Sequence, residues 1–364
     1  MKIKLNKEDT NKLHHLFATL ENNVAVANML LEFCEHYDFI DKNKFLSAKD
    51  KKQAFAYEFL RFFDIELQDA NDYELFNNYI KPAIALVDPK IIENNPYYLN
   101  VKPQRAKYGK YELFYKTFHA LQPFVYKDIT FKGEFYQELS SVSFFEKDVS
   151  YLAISSDDVT WMSITPNEIV TMQRSIEEAH GDVLTFGLGL GYYQFMIAQK
   201  ENVKSVTIIE NDKNIINLFK KNILPFFNNK NKIKIIESDA FEYYKNIDIA
   251  NKFDYAFMDI WHSPIDGLPL YIRFKQLEKK GKCQYSYWLE DSLIASFRRL
   301  LITTIEEQYK GLPEKNYLKA KNEEDKIINN IYFQTKNLVI SSFEEIVKLC
   351  GIESINALIL GKVL

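Results

Sequence analysis

The chain has 364 residues, a length that suggests about two domains. It is 47% hydrophobic and 26% charged, a composition typical of globular proteins. Its net charge of −4 lacks the basic excess with which nucleic-acid-binding proteins neutralise phosphates, so a nucleic-acid partner is not favoured. No apolar run reaches the roughly 18 residues that span a bilayer, and no signal-peptide pattern follows the N-terminal lysines. The three cysteines form no CxxC pair. We therefore expect a cytoplasmic protein with no membrane partner, disulfide framework or metal site.

Residues 1–100 predict a helical domain. Leu13 and Leu16 belong to an apolar series at helical spacing. Ser47, followed three residues later by Asp50, resembles a capping box that begins another helix.

Residues 101–164 differ in composition from the segment before them. The stretches ITFKGEFYQEL, VSYLAIS and DVTWMSI are rich in β-branched and aromatic residues, and such stretches favour strands. We expect short strands or hairpins here that link the helical domain to the next part of the chain.

Residues 165–310 predict a Rossmann-like, doubly wound α/β domain. A helix is predicted to start here, with Thr165 as its N-cap and Pro166 at the first helical position. The Glu168 side chain is expected to bond back to the N-cap backbone. The segments DVLTFG, VKSVTIIE, KIKIIES and FDYAFMDI then read as buried strands between helices, with CQYSYWLE as a candidate fifth. This alternation indicates a parallel sheet with right-handed crossovers. Residues 311–364 predict a C-terminal helical extension.

Three glycines alternate at the end of the first of these strands, at Gly187, Gly189 and Gly191. Glycine allows the backbone to turn tightly and lets a ligand approach without a Cβ in the way. The helix that follows offers free N–H groups to polar ligand atoms. A tight strand-to-helix turn in any α/β protein is the alternative explanation of these glycines alone.

Acidic residues end the next three strands in order. Glu210, about 20 residues after the glycines, can accept hydrogen bonds from both hydroxyls of a ribose. Asp239, followed by Ala240, can accept from the exocyclic amine of an adenine, and Asp259 ends the fourth strand. Because open α/β sheets bind ligands at the carboxyl ends of their strands, this set predicts an adenosyl ligand.

With these residues, the stretch from about 165 to 300 resembles the class I S-adenosylmethionine-dependent methyltransferases. The resemblance implies a seven-stranded Rossmann-like sheet and S-adenosylmethionine as cofactor, with Asp259 close to the methionine moiety and the reaction centre. Two features depart from the family. Thr185 stands where an acidic residue often precedes the glycines, and the last antiparallel hairpin is not obvious after residue 300. The segment NNIYFQTKNLVIS is the candidate for the missing strands.

A weaker similarity links the chain to aminopropyltransferases of the spermidine-synthase type. In those enzymes β-hairpins, then a helix with a Glu, precede the glycine motif, and Glu168 has that position here. Their reaction centre carries further acids after the fourth strand, where this chain has Asp259 and Asp266. A nicotinamide dehydrogenase is disfavoured, because Tyr192 or Gln194 occupies the place that its fingerprint gives to a small residue.

Asp259 and His262 are the candidate catalytic residues, with His262 as the base because its ordinary pKa lies near neutrality. Tyr192, Tyr193 and Trp261 are candidates for the acceptor site, and packing in the protein interior is the alternative for each. We expect an S-adenosylmethionine-dependent methyltransferase that acts on a small molecule or a protein. An aminopropyltransferase, and a non-catalytic nucleoside-binding or assembly module, are the alternatives.

Overall fold

The computed structural model describes residues 1–36, 45, 47–317 and 319–362. Up to residue 100 the described elements are mainly helical: β1 (Lys2–Ile3), α1 (Lys7–Glu35), α2 (Lys51–Phe62), α3 (Ala70–Leu75), a π-helical turn (Phe76–Ile80), α4 (Lys81–Ala83), β2 (Ile84–Leu86), α5 (Lys90–Glu93) and α6 (Pro96–Asn100). Helix α2 begins at Asp50, whose side chain accepts from the backbone N–H of Gln53. The capping box predicted from Ser47 was therefore wrong.

Two small sheets follow, built from β3 (Ala106–Tyr108), β4 (Tyr111–Phe118), β5 (Phe124–Lys132), β6 (Gln137–Phe144), β7 (Val149–Ser156) and β8 (Val159–Ser163). One sheet has the order β2-β6-β5 and the other β3-β4-β7-β8. Strands β7 and β8 form a hairpin whose turn holds Asp157 and Asp158 at φ 50° and 66°, as a two-residue hairpin turn requires. This hairpin leads directly into the Rossmann-like part.

The Rossmann-like sheet contains β9 (Gly181–Phe186), β10 (Val203–Glu210), β11 (Ile233–Glu237), β12 (Tyr255–Met258) and β13 (Gln284–Tyr287). All pairs are parallel, in the order β11-β10-β9-β12-β13. Central β9 is buried on both faces, with Val183, Leu184 and Phe186 each 0% exposed, as expected of a parallel strand covered by helices. The chain builds outward from β9 on one side and then crosses to the other, which confirms the predicted doubly wound fold.

The helices of this part are α7 (Pro166–Thr171), α8 (Gln173–Glu178), α9 (Tyr192–Ala198), α10 (Lys213–Asn222), α11 (Ala240–Asn246), α12 (Ile249–Lys252), α13 (Pro264–Leu277) and α14 (Glu290–Tyr309). The chain ends with α15 (Glu323–Thr335), β14 (Val339–Ile340), α16 (Phe343–Leu349) and α17 (Ile352–Ile359). Among the described residues, no helix is both long and apolar enough to cross a membrane.

The segment proposed for two late strands does not extend the Rossmann-like sheet. Most of it forms helix α15, and β14 pairs in parallel with β1 at the other end of the chain. Within the described residues the sheet therefore has five strands, and the seven-stranded prediction was wrong. One large hydrophobic core contains residues from Leu13 to Ile359, and a smaller one joins the N-terminal helices to β6, where Phe55 stacks on Phe144 at 4.2 Å. The four-part domain division stays a prediction.

Candidate functional site

The glycine turn follows β9 and packs closely against the protein itself. A Cβ on Gly187 would lie 1.9 Å from the carbonyl oxygen of Asp259, and one on Gly191 would lie 2.3 Å from the ring of Phe219. Both glycines also have positive φ, at 94° and 71°, which costs L-residues conformational energy. Internal packing alone therefore requires Gly187 and Gly191, and only the set of side chains around the turn can indicate a ligand.

A cavity of about 670 Å³ opens at the carboxyl ends of the strands, a volume typical of small-molecule sites. It brings together nearly all of the predicted site residues: Gly187, Gly189, Gly191, Tyr192, Glu210, Asp239, Ala240, Asp259, Trp261 and His262. It also contains Glu168, which the aminopropyltransferase similarity singled out, and residues that the sequence analysis gave no role there: Tyr111, Trp161, Asp212, Arg273 and Trp288.

Glu210 ends β10 and connects the two loops beside it. Its Oε2 accepts from the backbone N–H of Leu188 at 3.2 Å, and its Oε1 accepts from that of Asp212 at 2.8 Å. Burial raises the pKa of this carboxyl, while the backbone hydrogen bonds oppose the rise. Each oxygen has a further lone pair for a ligand hydroxyl. Glu210 thus holds the loops in place as well as facing the cavity, and its ribose role stays a prediction.

Asp239 is the N-cap of α11. Its Oδ1 accepts from the backbone N–H groups of Phe241 and Glu242, both at 2.9 Å, and these bonds fix the carboxylate at the cavity edge. The guanidinium of Arg273 lies 3.6 Å from the centroid of the Phe241 ring. Among the described residues that line the cavity, Arg273 alone carries a permanent positive charge. The end of the cavity near Asp239 and Ala240 thus combines an acceptor with a cationic donor.

Glu168 and Asp259 form a pair of enclosed acids at the other end. Thr165 precedes α7 but makes no side-chain capping bond, and the Glu168 side chain faces the cavity. The capping roles predicted for Thr165 and Glu168 were therefore wrong. Burial raises the pKa of Glu168 well above its usual range, and the neighbouring Asp259 raises it further. Burial also raises the pKa of Asp259, to about 7. The pair therefore holds at least one proton near neutral pH, because two adjacent buried carboxylates repel each other.

Thr185 occupies the position where the resembled family often has an acid. Its side chain is 0% exposed, and its Oγ1 accepts from Gln194 Nε2 at 3.2 Å. The same nitrogen donates to the carbonyl oxygen of Gly187 at 2.9 Å. A neutral network thus joins β9 to α9 here, and the negative charge at this end of the cavity comes from Glu168 and Asp259 instead.

His262 lies in the loop after β12, beside residues of the small sheets. The indole N–H of Trp161 donates to His262 Nε2 at 3.2 Å, and the backbone N–H of His262 donates to Asp266 Oδ2 at 2.9 Å. The Trp161 ring also contacts Tyr111, at 4.9 Å between centroids, and the Tyr111 hydroxyl donates to Asp212 at 2.8 Å. These contacts cross the cavity from the loop after β10 to the loop after β12.

The three candidates for the acceptor site have different surroundings. Trp261 lines the cavity but is 3% exposed, and its ring packs so close to Gly267 that a Cβ there would lie 2.7 Å from it. Tyr192 lines the cavity, and its hydroxyl accepts from Asn95 Nδ2 at 3.3 Å.

Tyr193 is not brought to the cavity. Its ring stacks on Phe257 at 4.2 Å, and its hydroxyl donates to the carbonyl oxygen of Ser175. Adjacent residues on a helix point in different directions, so only one of two consecutive tyrosines can face the cavity. The prediction that Tyr193 contributes to the acceptor site was wrong.

The sequence analysis missed Tyr111, Trp161 and Arg273 because each comes from an element outside the strand ends. Tyr111 and Trp161 belong to β4 and β8 of the small sheets, and Arg273 lies inside α13. No spacing rule relates these positions to the glycine motif. Glu168 was the exception, since its place ahead of the glycines was the signal of the aminopropyltransferase similarity.

Comparison with known families finds one family model that matches the part of the chain containing this cavity. The family model of the spermine/spermidine synthase domain matches residues 163–275. The similarity of this part of the chain to spermidine synthases is thereby confirmed for residues 163–275. The match begins at the last residue of β8 and ends within α13, so it contains the glycine turn and the acidic strand ends. No curated protein matches the chain.

Solved structures that match part of the chain include spermidine synthases and O-methyltransferases. Spermidine synthase from Thermotoga maritima is 14% identical, with 42% of this chain and 59% of that chain covered at a TM-score of 0.31. An O-methyltransferase from Bacillus cereus, in complex with SAH, is 14% identical, with 46% of this chain and 67% of that chain covered at a TM-score of 0.27. The chain thus spans about three fifths of the first of these relatives. The fold assignment rests on the strand order itself.

Proposed function

We propose that this chain is a transferase that moves an aminopropyl group from an adenosyl sulfonium donor, decarboxylated S-adenosylmethionine, to an amine. The family-model match over residues 163–275 supports the reaction class. The observation that carries the choice of donor is the enclosed acid pair Glu168 and Asp259.

The donor set at the strand ends fits an adenosyl group. Glu210 offers carboxylate oxygens to ribose hydroxyls, and Asp239 offers one to an adenine amine. Gly189 leaves room at the turn, where only Met162 of β8 would approach a Cβ, at 2.9 Å. This part of the site is compatible with S-adenosylmethionine and with its decarboxylated form alike, since both contain the same nucleoside.

The acid pair separates the two donors. S-adenosylmethionine carries a carboxylate beside its ammonium group, and the decarboxylated form keeps only positive charges. Like charges about 4 Å apart repel by about 4 kcal/mol at an effective dielectric constant of 20. The one permanent cation among the described cavity residues, Arg273, lies against Phe241, next to the adenine-side residues Asp239 and Ala240. Above about pH 7, where Asp259 is ionised, a donor carboxylate at the Asp259 end would therefore meet repulsion without a compensating cation.

An amine acceptor suits the same acids. The sulfonium supplies an already activated carbon, so the protein must orient the acceptor and remove its proton. Asp259 has a pKa of about 7, which suits a base that accepts a proton from an ammonium group near neutral pH. His262 Nε2 already accepts a hydrogen bond from Trp161, so we prefer Asp259 to His262 for this role.

Methyl transfer from S-adenosylmethionine to a small molecule or protein is the second candidate. Asp266, an acid that could have held a second amine of a polyamine, instead accepts from the backbone N–H groups of His262 and Ser263 and from the Ser263 hydroxyl. Asp266 is thus engaged in local hydrogen bonds and is less available to a second amine of the acceptor. This observation favours an acceptor other than a long polyamine.

The by-product distinguishes the two reactions. The protein is incubated with either donor and a mixture of amines, and released nucleosides are measured by mass spectrometry. Methylthioadenosine release from the decarboxylated donor, dependent on Asp259, is the expected result. S-adenosylhomocysteine release would establish methyl transfer instead. Release of neither nucleoside by folded protein would refute the proposal and support a non-catalytic module.

A further inference from the structure

Trp161 and His262 make a contact whose direction is fixed by chemistry. An indole nitrogen is a hydrogen-bond donor only, and a neutral imidazole has one donor nitrogen and one acceptor nitrogen. Because Trp161 Nε1 lies 3.2 Å from His262 Nε2, Nε2 must be the acceptor. The proton of the neutral ring is then on Nδ1. Among the described residues, no side chain or carbonyl accepts a hydrogen bond from that Nδ1.

We propose that Trp161 is a positioning residue that keeps the proton of His262 on Nδ1, so that His262 serves the cavity as a hydrogen-bond donor and not as a base. The molecule that His262 faces would then carry an accepting atom with a free lone pair, such as a carboxylate, carbonyl or hydroxyl oxygen. An ammonium group lacks such a lone pair, so this atom is a second recognition point on the acceptor.

The surroundings of both residues support a fixed arrangement. The backbone N–H of His262 is held by Asp266, which also forms the capping box of α13 with Ser263. Trp161 packs against Tyr111, whose hydroxyl is held by Asp212 at 2.8 Å. Each partner of the Trp161–His262 contact is thus anchored on a different loop of the Rossmann-like sheet. Two strands of the small sheets, β4 and β8, supply the connection.

Nitrogen-15 NMR of the histidine side chains tests the inference without any turnover. The chain has six histidines, and the His262 signals are identified by their loss in His262→Asn. At pH 8 we expect the Nδ1–H tautomer in the wild-type protein and its loss in Trp161→Phe, which removes the indole donor. Tyr111→Phe is the matched control, since it removes a hydroxyl from the same group of contacts but leaves the indole N–H. An Nε2–H tautomer in the wild-type protein would overturn the inference.

A second measurement rests on the proposed function and uses the assay of nucleoside release. Asparagine brings an amide nitrogen close to the position of Nδ1 and cannot act as a base. We therefore expect His262→Asn to keep kcat/KM within about threefold of wild type, and His262→Ala to lose about tenfold, the size of one hydrogen bond. Equal losses in both variants would overturn the donor role. If no donor is turned over, the proposed function fails, while the NMR result still decides the tautomer.

Discussion

The acid pair makes a sharp prediction about Asp259→Asn and pH. Asparagine resembles the protonated form of the aspartate, so the substitution removes the titration while retaining the shape. Burial raises the pKa of Asp259 from 3.8 to about 7. The folded state therefore retains a proton that the unfolded chain releases above pH 4, and the unfolding free energy falls as pH rises from about 4 to 7.

The magnitude follows from the shift. Each pKa unit corresponds to about 1.4 kcal/mol, so the rise to about 7 sets an upper limit of about 4 kcal/mol for the pH-dependent loss of stability. Water reaches part of both carboxyls through the cavity and reduces the penalty, so we expect about 2 kcal/mol. Asp259→Asn should nearly match the wild-type protein at pH 3.5, below the unfolded pKa, and exceed its unfolding free energy by about 2 kcal/mol at pH 8.

Urea unfolding of the ligand-free protein at both pH values measures this difference. Glu237→Gln is the matched control, because Glu237 also lies at a strand end but is exposed. The difference in unfolding free energy between this control and the wild-type protein should be the same at pH 3.5 and pH 8. Glu168→Gln should change stability in the same direction as Asp259→Asn, since burial and the neighbouring Asp259 raise the pKa of Glu168 as well. An Asp259→Asn variant that follows the wild-type pH dependence would refute the account of the pair.

Three further substitutions test other parts of the site. Glu210→Gln should weaken methylthioadenosine binding about tenfold or more. It should also lower the stability of the ligand-free protein by about 1 kcal/mol, because the carboxylate holds two loops. Unchanged affinity in calorimetry would exclude the ribose role. Gly187→Ala should lower the unfolding free energy by over about 3 kcal/mol, because the new Cβ would clash with a backbone oxygen. Gly311→Ala, in open space at φ 76°, is the control and should lower it by about 1 kcal/mol. Equal unfolding midpoints for the two variants would contradict this reasoning. Tyr193→Phe should leave nucleoside affinity unchanged, and a clear loss in the same titration would return Tyr193 to the site.

The sequence predicted the strand ends well because parallel strands impose a strict pattern. Buried runs followed by Gly187, Glu210, Asp239 and Asp259 identify one edge of one sheet, whatever the rest of the chain does. The sheet also brings these residues to a single cavity.

Contacts between distant segments could not be predicted in the same way. Trp161 reaches His262 only because the β7–β8 hairpin lies over the cavity, a placement that depends on tertiary packing. The local sequence around Glu168 fits a capping residue, and burial beside Asp259 decided otherwise. Tyr193 was assigned to the site by its position next to the glycines, although helix geometry points it into the core.

Calorimetric titration of the folded protein with methylthioadenosine and S-adenosylhomocysteine tests the central claim most directly. Both ligands share the nucleoside, and only the second carries a carboxylate at the end where Glu168 and Asp259 lie. At pH 8, where Asp259 is ionised, we predict micromolar binding of methylthioadenosine, at least about tenfold tighter than that of S-adenosylhomocysteine. Tighter binding of S-adenosylhomocysteine would contradict the carboxylate-free donor, and binding of neither ligand would contradict the adenosyl site itself.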